Sequence, residues 1–154
     1  MKVAIGCDSA GTPLMGIIRE VLAKHGIEVE DYSVTATDPS LYPDVALTVS
    51  ERVASGACER GILVCGTGIG MSITANKVAG VRAALVHDTY SAERAQLSND
   101  AQVITMGARV IGPELARAVV DAWLNVQYEP TSRSEDKVKR MNEIDDQFRG
   151  QHPA

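Results

Sequence analysis

The sequence predicts a three-layer, doubly wound α/β fold built on five parallel strands. Three observations carry that prediction. Short β-type runs alternate with helical patterns along the chain, the order expected of a parallel sheet covered on both faces. One run, GILVC over Gly61–Cys65, is apolar throughout and suits a central strand buried on both sides. The length, 154 residues, fits one domain with a single core.

Lys2–Gly6 reads as the first strand. Leu14, Ile17, Ile18, Val21 and Leu22 follow at helical spacing, with Pro13 suited to a first turn and Gly26 to the stop. Ile27–Tyr32 is the second strand, and Ser33–Pro43, rich in Thr, Ser, Asp and Pro, reads as a loop long enough to wall a binding site. Val45, Val49 and Val53 mark a second helix ending near Gly56. After Gly61–Cys65 come Gly66–Gly70 and a helix through Lys77. Arg82–Val86 is the fourth strand, Ser91–Leu97 a helix and Gln102–Met106 the fifth strand. Pro113 opens a helix with Ala116, Val119, Val120, Trp123 and Leu124 on one face. The charged tail, about 133–148, is helical from Glu135 to Phe148 and carries a sparse apolar stripe of Val138, Met141, Ile144 and Phe148 suited to a neighbouring subunit. The whole, 1–154, reads as one Rossmann-like domain.

Composition narrows the function. A net charge of −5 argues against nucleic acid or anionic membrane as a partner, so an anionic ligand needs a local basic cluster. No run is long enough to span a bilayer and no export signal is evident. Cys7, Cys58 and Cys65 are odd in number and read as reduced thiols of a cytoplasmic protein.

Open α/β sheets bind ligands beyond the carboxyl ends of their strands. After the third strand stands Cys65-Gly66-Thr67-Gly68-Ile69-Gly70-Met71-Ser72. Its glycines let backbone N–H groups approach a ligand, and the next helix directs its positive end to the same place. Such a turn can hold a phosphate or a developing oxyanion. It lacks the Lys-Ser/Thr of a Walker loop, and a dinucleotide fingerprint belongs after the first strand. Cys65, at a strand end facing a helix start, is placed to act as base or nucleophile; equally, a free cysteine there can be a small buried hydrophobe. For Cys7 and Cys58 the buried reading is preferred. Asp8 and Ser9 follow the first strand, His87 and Asp88 the fourth, and Arg109 the fifth. Asp8 suits a helix cap as well as a ligand contact. His87-Asp88 reads as a structural helix entry. Arg133 and Lys137 have i,i+4 spacing in the tail.

From GCDSAG through GILVCGTGIGMSITANK, VRAALVHDTYSAE, ND and MGARVIGPELA, the chain resembles the ribose-5-phosphate isomerase B type of sugar-phosphate isomerase, whose family includes the galactose-6-phosphate isomerase subunits. The resemblance covers nearly the whole chain. It implies an aldose–ketose isomerisation of a small phosphorylated sugar through a cis-enediolate, without cofactor or metal, in a homodimer or larger homo-oligomer. Cys65 matches the base that moves a proton between C1 and C2, and Thr67 the residue assisting at the oxygens. The amides of Gly66, Gly68 and Gly70 match an enediolate-stabilising anion hole. Asp8 and Asn99 match sugar contacts, with Ser9 beside Asp8 on the substrate side. Arg109, Arg133 and Lys137 match phosphate contacts, Lys137 replacing the usual Arg and so supplying charge without a bidentate fork. Members with a Glu base carry it where this chain has Met71, which places this chain with the cysteine type.

The family typically has His at positions 9, 98 and 134; here all three are Ser, and His25, His87 and His152 stand elsewhere. The family histidine at position 98 is assigned to opening a furanose ring. Its absence favours an acyclic tetrose 4-phosphate, erythrose 4-phosphate interconverting with erythrulose 4-phosphate. Alternatives are ribose 5-phosphate or another cyclising sugar phosphate, and a weakly catalytic sugar-phosphate-binding subunit.

Overall fold

Alternation of apolar runs and amphipathic stretches resolves, in the computed structural model, into five strands and six helices. The structure describes residues 1–35 and 37–149; Ala36, inside the 33–43 loop, and residues 150–154, with His152, lie outside the described residues. In chain order the elements are β1 (Lys2–Cys7), α1 (Thr12–Lys24), β2 (Glu28–Asp31), α2 (Tyr42–Ala54), β3 (Arg60–Cys65), α3 (Ile69–Ala75), β4 (Ala83–Leu85), α4 (Thr89–Asn99), β5 (Val103–Gly107), α5 (Pro113–Leu124) and α6 (Glu135–Arg149). All strands run parallel in the order β2-β1-β3-β5-β4. The order turns back beside β1 and β3, so the carboxyl ends of these strands open into the crevice where such sheets take ligands.

Two apolar layers hold the sheet. On one face Ile5, Ile62, Val64, Ile104 and Met106 pack with Leu14, Ile18 and Leu22 of α1, Ala92 of α4 and Val119, Val120 and Trp123 of α5. On the other, Ala4, Leu63 and Val103 meet Val45 and Val49 of α2 and Met71 and Ala75 of α3. Strand β3 is buried at every residue, as its unbroken apolar run requires.

Several boundaries differ from the expectation, for local reasons. Strand β3 begins at Arg60, whose buried guanidinium lies 4.9 Å from the Trp123 ring centroid and donates to the carbonyls of Trp123 and Val126, each at 2.7 Å. Tyr42 and Pro43 belong to α2 rather than the loop: Pro43 sits in the first turn, and Asp44 reaches back to the Leu41 N–H at 3.1 Å. Helix α4 is longer than expected at both ends, because Asp88 caps it by accepting the Ser91 N–H at 2.7 Å, and it runs on through Ser98 and Asn99. Helix α3 stops at Ala75, where the Asn76 side chain closes onto both backbone groups of Ala83 at 2.8 and 2.9 Å. Arg133 precedes α6 in a turn, so it and Lys137 do not share a helical face.

Candidate active site

Residues at the carboxyl ends of β1, β3 and β5 build the site. Cys65 ends β3 in register with Gly107 of β5, and Cys7 of β1 pairs with Val64 on the other side. Cys65 is 6% exposed, and its sulfur accepts the Gly68 N–H at 3.0 Å. Gly68 makes this possible with φ at +79°, a left-handed conformation that costs glycine little. The Thr105 hydroxyl holds the Gly68 carbonyl at 2.9 Å and fixes the turn.

The Gly68 amide therefore serves the sulfur, which is a difference from its expected place in an anion hole. Among the described residues the amides of Gly66, Thr67 and Gly70 have no acceptor. They are the donors left to meet a developing oxyanion. Thr67 is exposed, and its hydroxyl accepts the Ile69 N–H at 3.3 Å. Arg109 extends across Gly66, its guanidinium within 3.4 Å of where a Gly66 Cβ would stand. Among the described residues it has no ion-pair partner and is open to an anion.

Asp8 and Ser9 follow β1. Asp8 accepts the Gly11 N–H at 3.0 Å, closing the turn before α1 rather than capping the helix itself. Ser9 is exposed and borders a cavity of about 510 Å³ that Thr12, Arg19 and Ser33 also line. Arg19 there is held by Asp31 at 2.6 Å.

Tyr42 is a wall of the site that sequence reasoning missed. A Cβ at Gly70 would lie 2.4–2.6 Å from the outer ring carbons and hydroxyl of Tyr42, so the ring covers the loop closely and a side chain at Gly70 would have to displace it. The signal was Pro43-Asp44, which marks a helix start and pins Tyr42 to it.

Cys7 and Cys58 are almost wholly buried, and burial pushes both thiols up, which fits small core residues. His87 is half-buried beside Gly107 and accepts its N–H on Nε2 at 2.9 Å.

The remaining expected residues stand elsewhere in the chain. Asn99 ends α4 at the amino end of the sheet, where Arg82 grips the carbonyls of Asn99 and Asp100 at 3.1 and 3.0 Å. The same guanidinium donates to Asn142 of α6 at 2.8 Å, so Asn99 and α6 share that end. A strand rises about 3.3 Å per residue, so the length of β5 alone separates this end from Cys65 by roughly 13 Å. Arg133, in the turn before α6, and Lys137, in its first turn, are exposed and without ion-pair partners among the described residues. Asn99 thus stands at the opposite end of the sheet from Cys65 within one chain, and α6 is tied to that same end through Asn142. Ser98 is half-buried and Ser134 buried in the same region.

The sequence pattern of the Ribose/Galactose Isomerase family matches residues 3–141. The chain belongs to that family. Among curated members, it is 54% identical over 130 residues to D-erythrulose-4-phosphate isomerase of Pectobacterium atrosepticum, covering 84% of this chain and 86% of the relative. It is 49% identical over 149 residues to Ribose-5-P isomerase B of Listeria innocua, covering 97% and 100%. Among solved structures, Clostridium thermocellum Ribose-5-Phosphate Isomerase B superposes with a TM-score of 0.89 at 41% identity, covering 96% and 99%. The Ribose/Galactose Isomerase fold is thus shared over almost the full length of both chains.

Proposed function

We propose that the protein interconverts erythrose 4-phosphate and erythrulose 4-phosphate by proton transfer at Cys65. The observation that carries the reading is the Cys65 loop: a sulfur positioned by the Gly68 amide, with three unengaged amides and the Arg109 guanidinium around it. In this reading the Cys65 thiolate removes the C2 proton of the aldose, leaving a cis-enediolate, and returns a proton to C1. Thr67 assists proton movement at the two oxygens. The amides of Gly66, Thr67 and Gly70 meet the oxyanion. Asp8, Ser9 and Asn99 contact the sugar, while Arg109, Arg133 and Lys137 meet the phosphate.

The substrate follows from Ser98 and from the relatives. A tetrose 4-phosphate has its O4 esterified and cannot close a furanose, so no acid–base group is needed to open one. The resemblance to D-erythrulose-4-phosphate isomerase supports the same choice. Following ketose formation from erythrose 4-phosphate by NMR tests the reading. Conversion that is abolished by Cys65→Ala is expected; no conversion by the wild-type protein would overturn it.

The homodimer belongs to this reading. Arg133, Lys137 and Asn99 reach a Cys65 site when a second subunit presents them. Exposed Leu41, Ile69, Ile73, Leu85 and Tyr90 supply apolar surface for such a partner. Cys65→Ala and the Arg133→Ala/Lys137→Ala variant, each inactive alone, should regain about a quarter of wild-type activity after subunit exchange in a two-fold dimer. No regain would contradict shared sites. Three buried free cysteines fit a reducing cytoplasm.

A further inference from the structure

Strand β4 ends at Leu85, and its pairing with β5 continues only as far as the Val86 N–H, which donates to Thr105 at 3.0 Å. Two residues further along β5, the buried Gly107 N–H would have no backbone acceptor from this edge strand. The His87 ring takes that place, Nε2 accepting at 2.9 Å. A ring nitrogen that accepts an amide N–H carries no proton, so the neutral ring has its proton on Nδ1.

Gly107 is the floor of the Cys65 loop. A Cβ there would lie 2.6 Å from the Thr67 Cα, so the Thr67 backbone rests directly on it. The next two amides, of Ala108 and Arg109, donate to the carbonyls of Cys65 and Gly66 at 2.9 and 3.0 Å. One residue thus sets the height of Thr67, the direction of Cys65 and the start of the turn carrying Arg109.

We propose that His87 is a positioning residue for the isomerisation, acting through Gly107 to hold the Cys65 loop and Arg109. This rests on the isomerase reading above. Burial lowers the pKa of His87 and favours the neutral, accepting ring; Asp88 is the charged neighbour that opposes this, and its carboxylate is engaged in capping α4. Without the ring, a buried amide loses its acceptor and the loop above it loses its support.

Long-range 1H–15N NMR of the full-length wild-type protein reads the tautomer directly. A proton on Nδ1 is expected, and a proton on Nε2 would overturn the inference. His87→Ala should lower kcat for erythrose 4-phosphate by about tenfold to a hundredfold with a smaller change in KM, as misplacement of reacting groups does. His87→Gln, whose Oε1 reaches the place of Nε2, should recover most of that loss. Wild-type kcat in His87→Ala, or equal losses in both variants, would overturn the inference. If His87→Ala does not fold, the tautomer and the activity of His87→Gln decide. If the wild-type protein does not turn over the tetrose phosphate, the isomerase reading fails first. The positioning inference then stands or falls on alkylation of Cys65 by iodoacetamide, which His87→Ala should alter and His87→Gln restore; an unaltered rate would overturn it.

Discussion

Cys65 and Gly68 are joined by a hydrogen bond in which the amide of one donates to the sulfur of the other at 3.0 Å. The two residues are three apart in sequence, and the left-handed turn at Gly68 brings them together. Removal of the sulfur is expected to abolish isomerisation. A positioned general base contributes about 10²–10⁴-fold, so Cys65→Ala should lose activity on that scale while its circular dichroism stays that of the wild type. Cys65→Ser keeps an acceptor for the Gly68 amide but not a thiolate, and should be similarly impaired. Activity near wild type in either folded variant would move the base elsewhere.

Gly107 and Gly16 make opposite predictions for the same substitution. A Cβ on Gly107 meets the Thr67 backbone, which cannot yield as a side-chain tip can. Gly107→Ala should destabilise by about 1–3 kcal/mol and lower kcat. Gly16 lies on the exposed face of α1 with open space around it, and Gly16→Ala should stabilise by about 0.5–1 kcal/mol without touching activity. Chemical denaturation of the two variants checks both signs.

Glu30 predicts how the fold responds to acid. Its carboxylate accepts from Arg52 Nε and Nη2 at 2.7 and 2.9 Å and from the Tyr32 hydroxyl at 2.7 Å, with Lys2 Nζ also at 2.7 Å. Arg52 above all, then Lys2 and Tyr32, hold it well below the usual carboxylate range. A carboxylate depressed on folding adds stability that is present above its unfolded pKa, about 4.3, and is lost as pH falls toward the folded value. Glu30→Gln should therefore lower the Tm at neutral pH, and the difference from wild type should begin to narrow near about pH 4 and keep narrowing as the pH falls further. A difference that is constant with pH would show that the carboxylate's ionisation is not what matters.

The run of strands and helices and the Cys65 loop were legible because their signals are local, whereas the strand order β2-β1-β3-β5-β4 came only from the structure. An unbroken apolar run marks β3, and glycines at a strand end mark the ligand crevice. What was not legible depends on partners distant in sequence. Arg60 enters β3 because its guanidinium finds the carbonyls of Trp123, in the last turn of α5, and of Val126 just after it. His87-Asp88 reads as a helix entry in the sequence, yet the bond from Gly107 to His87 crosses from one strand end to the next. Pro43-Asp44 marks the helix start that holds Tyr42, but that the ring then covers Gly70 follows only from the packing of α2 against the loop. The separation of Asn99, Arg133 and Lys137 from Cys65 needed the sheet's polarity, since motif order alone says nothing about which end of a strand a residue occupies.

Ser98 offers a gain-of-function test. Ser98→His, alone or with Ser9→His, should raise turnover of ribose 5-phosphate by supplying an acid–base group for ring opening. It should leave erythrose 4-phosphate with no comparable benefit. Steady-state rates on both sugars check it, and an unchanged ratio of the two would show that position 98 does not set ring opening.

Parallel kcat/KM values of the wild-type protein on erythrose 4-phosphate and ribose 5-phosphate test the tetrose assignment most directly. A preference for the tetrose of at least about tenfold is expected, some 1.4 kcal/mol in transition-state stabilisation. A preference for ribose 5-phosphate, at a rate above its spontaneous ring opening, would contradict it.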